Sequence, residues 1–234
     1  MACILRRGRL AFPNGDRRRA SYPSASVPES VPVHRPGKIV CVGRNYRDHA
    51  KELGHEVPKE PLLFLKPPSA VIASGASIVL PAVSKQVEFE GEIGLVIGSR
   101  LRHASEADAL RAVRGVLAVN DVTARDLQKS DGQWTRAKGF DTFCPLGPIA
   151  EGTPDADALT VVTRVNGEER QRGRATDMVF PFSVLLAYIS RIMTLEPGDV
   201  VATGTPAGVG PLGPGDTVEI DIVGLSRVSN PVVA

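Results

Sequence analysis

Apolar residues along this chain fall in short clusters, and few hold a helical period. Lys38–Gly43 (KIVCVG) is a β-branched run ending in Gly, which predicts a buried strand. Asn45–Gly54 predicts a helix, with Asn at its N-cap and Gly at its stop. Pro58 to Pro68 reads as extended and loop-like. Ile78–Leu80, Val87–Ile97 and Arg114–Val122 predict strands, and Ser105–Leu110 a short capped helix. Val161–Asn166 and Glu169–Arg174 flank Asn166-Gly167, a strong two-residue hairpin signal. Ser183–Met193 has helical spacing, with a Pro197-Gly198 turn after it. Val200–Thr203, Thr217–Val223 and Ser226–Ser229 predict the last strands. Strands outnumber helices without alternating regularly with them, so the expected class is α+β. No internal repeat is visible.

The 234 residues suffice for one full domain, and 42% hydrophobic against 23% charged residues supports a sizeable core. The net charge of +2 argues against a nucleic-acid binder, but it is unevenly spread. Residues 1–37 hold seven Arg, no Lys and two acids, hence +5; the remainder carries −3. A basic, irregular N-terminal segment (1–37) therefore precedes a mildly acidic body (38–234). Its Arg- and Ser-rich composition also occurs in organellar transit peptides, but a plain extension is the simpler reading. No apolar run approaches the roughly 20 residues of a membrane span, and no secretory signal fits. The three cysteines (Cys3, Cys41, Cys144) are odd in number and form no CxxC pair. A reducing, cytoplasmic setting is expected.

The run Glu88-Phe-Glu90-Gly-Glu92 lies in a predicted strand, where alternate side chains share a face about 7 Å apart. Three carboxylates so placed repel without a counter-charge. They form either a solvated outer face or a cation site, and oxygen-only ligands suit Mg²⁺, Mn²⁺ or Ca²⁺. The apolar tail Ile93–Ile97 and the glycines at 91 and 94 favour a buried placement. Asp121, ending the apolar run Val116–Asn120, is either the cap of a following helix or a further ligand. His49 and Glu52 share one helical face, as an ordinary surface pair or as an acid/base dyad. Lys138 is one of seven Lys among 21 Arg, in a segment rich in turn and aromatic residues. The glycines of Thr203–Gly210 expose backbone N–H groups that could hold a carboxylate, although a plain turn explains them equally well.

Together these segments resemble the fumarylacetoacetate hydrolase superfamily, in its small single-domain form. The resemblance rests on Val42-Gly-Arg-Asn-Tyr-Arg-Asp-His49, Phe64-Leu-Lys-Pro67, Glu90-Gly-Glu92, Asn120–Gln128, Lys138–Pro145 and Thr203–Gly210, in family order across about 38–233. It implies a mixed β-roll or β-sandwich with short peripheral helices, and a homodimer. It implies Mg²⁺ or Mn²⁺ held by Glu90, Glu92 and Asp121, with Glu88 outside that set. His49 and Glu52 fall on the acid/base dyad, on a helix that acts as a lid, and Lys138 on the lysine facing the substrate. Arg44, Gln128 and Thr205 fall on substrate-contacting positions. The implied activity is metal-dependent chemistry on a 2-oxo or 2,4-dioxo acid through a chelated enolate. C–C hydrolysis of an acylpyruvate stands first. Isomerisation, decarboxylation or hydration of a dienedioate of aromatic catabolism, and oxaloacetate decarboxylation, are the alternatives. A non-catalytic metabolite-binding protein is the reading from another class.

Overall fold

The computed structural model describes residues 33–52, 54 and 56–234. The basic segment up to residue 32, Cys3 included, lies outside the described residues. A six-stranded sheet runs in the order Ala150–Glu151, Val113–Asn120, Gly91–Ile97, Val200–Ala202, Ile39–Gly43, Leu62–Lys66. A five-stranded sheet runs Glu168–Arg174, Thr160–Val165, Thr217–Ile222, Ser226–Val233, Ile78–Val79. Contacts of Gly91–Ile97 with Thr160–Val165, and of Val113–Asn120 with Thr217–Ile222 and Ser226–Val233, join the two sheets. Val40, Val42, Ile93, Leu95, Val161, Ile220 and Val228 form part of one buried core spanning both. Among the described residues, five short α-helices lie among the strands, so the α+β sandwich expectation holds.

Local chemistry explains most boundaries. The Asn166-Gly167 turn joins Thr160–Val165 to Glu168–Arg174, with φ of 54° and 83° at its two residues, as a type I′ hairpin requires. Ser105 caps Glu106–Arg111 by accepting the Asp108 N–H. The apolar stripe near Ser183 becomes helix Phe182–Ile192.

Four expectations need correction. Leu62–Lys66, read as loop, is an edge strand antiparallel to Ile39–Gly43, with prolines just outside both ends. The helix is shorter than Asn45–Gly54, running from Arg47 to Glu52. Asn45 serves tertiary structure instead of capping. Its amide donates to Thr203 O and Phe180 O, and its oxygen accepts the Phe180 N–H. Val87–Ile97 is not one strand: Val87–Phe89 pairs with Gly210–Pro211 and Thr123–Ala124 in a separate sheet. The break falls at Glu90, whose N–H donates to Asn120 Oδ1. Finally, Asp121 caps no helix, because strand Thr123–Ala124 intervenes before helix Arg125–Asp131. Gly91 must stay small where the sheets meet: a Cβ there would lie 2.0 Å from Thr163 Oγ1.

Candidate active site

The carboxylates of Glu90, Glu92 and Asp121 are buried and offer ligand oxygens within 4.8 Å of one another. Burial rules out the solvated-face reading of the acidic run. Adjacent strands bring them together, since Gly91 pairs with Asn120 across Gly91–Ile97 and Val113–Asn120. Asp121 N–H donates to Glu90 O at 2.8 Å, which carries this pairing one residue further.

Three buried cations answer these acids. Arg125 donates from Nε to Glu88 at 2.8 Å and from Nη2 to Glu90 at 2.5 Å, bridging the two acids that alternation places on one face. Lys138 Nζ donates to Glu90 and to Asp121, both at 2.6 Å. Lys66 Nζ donates to the other Asp121 oxygen at 2.7 Å and to Val122 O. Burial alone would push Glu90 up, yet Lys138, Arg125 and His49 hold its carboxyl well below the usual range. Lys138 is held above its ordinary value: burial opposes its charge, but Asp121 and Glu90 outweigh it.

Glu92 is different. Burial, then Asp121 and Glu90, push its carboxyl well up. It accepts a 2.8 Å hydrogen bond from Gly204 N–H, in the Thr203–Gly210 turn. The cluster is therefore short of positive charge at Glu92. A hard divalent cation taking oxygen ligands fits that deficit and this donor set.

A prediction follows from that asymmetry. Mn²⁺ affinity is expected to fall as pH falls, because Glu92 must release its proton to become a ligand. The metal-free fold responds oppositely at Glu92. Stability from its protonated form is lost as pH rises from the ordinary carboxylate range through the raised value. Glu90, held low, contributes stability that disappears on acidification. Calorimetric titration with Mn²⁺ in buffers of different ionisation heat reads the released proton. An affinity flat across pH, with no proton release, would count against Glu92 as a ligand.

The other expected residues line the same cleft: Arg44, His49, Gln128, Lys138 and Thr205. His49 is buried, and its Nδ1 lies 3.1 Å from Glu52 Oε2, which leaves Nε2 for a ligand. Glu52 is not itself a lining residue; it also accepts the Gly208 N–H at 3.0 Å, tying the helix to the glycine turn. Gln128 Oε1 accepts from Arg125 Nη1 at 2.5 Å, which orients its amide N–H groups as donors. Thr205 donates its hydroxyl hydrogen to Gly91 O and accepts from Gln171, so it offers a substrate only an acceptor. Cys41 and Cys144 are buried free thiols, and burial pushes Cys144 up to about 12, so neither is a nucleophile.

The profile of the fumarylacetoacetate (FAA) hydrolase C-terminal family matches residues 38–233. The chain belongs to this family. The Arabidopsis thaliana mitochondrial oxaloacetate tautomerase FAHD1 is 47% identical over 197 residues, covering 82% of this chain and 88% of that protein. The human mitochondrial oxaloacetate tautomerase FAHD2A is 42% identical over 223 residues, covering 90% and 71%. The crystal structure of 2-hydroxyhepta-2,4-diene-1,7-dioate isomerase from Mycobacterium marinum superposes with a TM-score of 0.77 at 46% identity, covering 85% of this chain and 75% of that one.

This fumarylacetoacetate hydrolase family enzyme also uses residues that sequence reasoning left without a role. Lys66 and Arg125 neutralise the acids, and Phe64 and Trp134 wall the cleft. Lys66 carried a signal, as a lone Lys closing the apolar run Leu62–Leu65. Arg125 carried none, in a chain with 21 Arg. Among the described residues, no helix is long and apolar enough to cross a membrane.

Proposed function

We propose that this enzyme interconverts the keto and enol forms of a 2-oxo acid of the oxaloacetate type. The observation that carries this reading is His49, buried at the cleft, aimed by Glu52 and sharing the cleft with the carboxylate cluster. Glu90, Glu92 and Asp121 would hold Mg²⁺ or Mn²⁺, which supplies Lewis-acid polarisation of the substrate's keto and carboxylate oxygens. His49 Nε2 takes a proton from the carbon next to the keto group and, as the imidazolium, gives it back to the keto oxygen, which yields the enol. Glu52 stabilises the imidazolium formed meanwhile. Lys138 keeps positive charge beside the oxygens where negative charge grows. Gln128 donates an N–H to a substrate oxygen, with its amide held by Arg125. The relatives named as tautomerases and isomerase support proton transfer as the leading chemistry.

C–C hydrolysis of an acylpyruvate is the second reading, favoured by the description of the family itself. There His49 would deprotonate a water instead of a carbon. Following the ultraviolet absorbance of enol-oxaloacetate, with parallel assays for pyruvate release and for acetylpyruvate cleavage, separates the two. With Mg²⁺ or Mn²⁺, the enol signal is expected to decay far faster than in buffer, and EDTA to abolish the effect. Acetylpyruvate cleavage without accelerated enol decay would replace the first reading by the second. Inertness in every assay, indifferent to EDTA, would end both.

A further inference from the structure

The carboxylate strand and the glycine turn meet at one buried amide that the chemistry above leaves without a role. Gln171 is a buried residue of strand Glu168–Arg174. Its Oε1 accepts the Gly91 N–H at 3.0 Å, and its Nε2 donates to Thr205 Oγ1 at 2.7 Å and to Pro206 O at 2.8 Å. These partners fix which way the amide faces, because a peptide N–H can only donate and a peptide carbonyl can only accept. Thr205 therefore accepts from Gln171, and its own hydrogen goes to Gly91 O at 3.0 Å. Gly91, Gln171 and Thr205 close a ring of three hydrogen bonds that run the same way round. Bonds so arranged strengthen one another in a dry interior.

The ring stands between the two acids of the strand. It holds both the N–H and the carbonyl of Gly91, so it fixes the peptide groups on either side of the residue that separates Glu90 from Glu92. The turn bound by Gln171 reaches the site at two further points, where Gly204 N–H donates to Glu92 and Gly208 N–H to Glu52. That turn packs backbone-close on the Gln171 strand. A Cβ on Gly208 would lie 2.2 Å from Arg170 O, and one on Gly173 would lie 2.6 Å from Pro206 Cβ. Thr163 and Arg164 pair with Gln171 and Glu169, which leaves Arg170 as a bulged extra residue. Such a bulge re-aims the side chain beside it.

We propose that Gln171 is a positioning residue of the active site. Acting through Gly91 and Thr205, it holds Glu90 and Glu92 in the arrangement that binds a divalent cation and aims the remaining Thr205 lone pair into the cleft. A hairpin of the second sheet thereby becomes part of the site, although Gln171 itself does not line the cleft. The consequence for turnover rests on the keto–enol reading above; the consequence for metal binding does not.

Calorimetric titration of the full-length chain with Mn²⁺ alone tests this, at a temperature where circular dichroism shows the variants folded. Gln171→Met keeps the bulk and loses all three hydrogen bonds; it is expected to weaken Mn²⁺ binding about 10- to 100-fold. Thr205→Val opens the ring from the other side and should lose a similar factor. Thr205→Ser keeps the hydroxyl and should restore most of it. The double variant Gln171→Met/Thr205→Val should bind little worse than either single one, because each already opens the same ring. With saturating Mn²⁺, Gln171→Met should raise KM for enol-oxaloacetate more than it lowers kcat, since the disturbed Thr205 faces the substrate while His49 stays in place. A lowered melting temperature with unchanged Mn²⁺ affinity makes Gln171 merely structural and overturns the proposal, as do losses that multiply in the double variant. If Gln171→Met does not fold, the Thr205 pair decides alone, and Thr205→Val binding Mn²⁺ as well as wild type overturns it. Weakened Mn²⁺ binding in a protein inert toward oxaloacetate leaves the positioning role standing and fails the keto–enol reading instead.

Discussion

His49→Ala is expected to lower enol–keto turnover by about 10²- to 10⁴-fold while leaving Mn²⁺ binding in place. His49 belongs to the cleft but not to the oxygen cluster, so its loss removes the proton carrier and spares the ligands. Glu52→Gln should cost less, about 10- to 100-fold, because the amide still bonds Nδ1 but no longer stabilises a charged ring. The ordering matters more than either value. An equal loss in both variants would mean that Glu52 matters chiefly for holding the helix, through its bond to the Gly208 N–H. A His49→Ala enzyme as fast as wild type would remove His49 from the chemistry. Steady-state rates alongside Mn²⁺ titration distinguish these cases.

Asp121→Asn is expected to abolish tight Mn²⁺ binding and to destabilise the metal-free fold by about 3–5 kcal/mol. Asp121 is fully buried and receives Lys66 on one oxygen and Lys138 on the other. The amide keeps the shape but leaves two buried ammonium groups without that carboxylate. Lys66 has no other acid partner among the described residues, whereas Lys138 retains Glu90. Adding Lys66→Met should therefore recover part of the lost stability, because removing both members of a buried pair costs far less than removing one. Denaturant titration of the four members of this cycle gives the coupling. Additive losses would show that Lys66 and Asp121 do not depend on each other.

Several site residues were legible because their chemistry is costly in any other place. Glu90 and Glu92 stand in a run that continues as Ile93–Ile97, and acids there need either water or a cation. The helix carrying His49 and Glu52 was visible from the Asn45 and Gly54 that flank it, although it is shorter than that pair suggests. The break of the chain at Glu90 was not. Val87–Ile97 carries no proline or turn pair to mark a break, and only the Asn120 side chain, arriving from another strand, takes the Glu90 N–H out of the ladder. The same cause misled the reading of Asn45. A local cap and a tertiary bond use the same side chain, and Phe180 and Thr203, far along the chain, took it.

By itself the sequence determined the class of the fold, the hairpin at Asn166-Gly167, the oxygen-rich character of the site and the family, because propensity, turn chemistry and donor type act locally. Only the tertiary structure decided which acid is held low, which is pushed up, and which cations are committed to them. Glu90 and Glu92 are two residues apart and identical in type, yet one is held low by Lys138 and Arg125 and the other is driven high by burial and its neighbours' charge. Charges interact through space across strands, and their energies depend on distance and burial that no local pattern records.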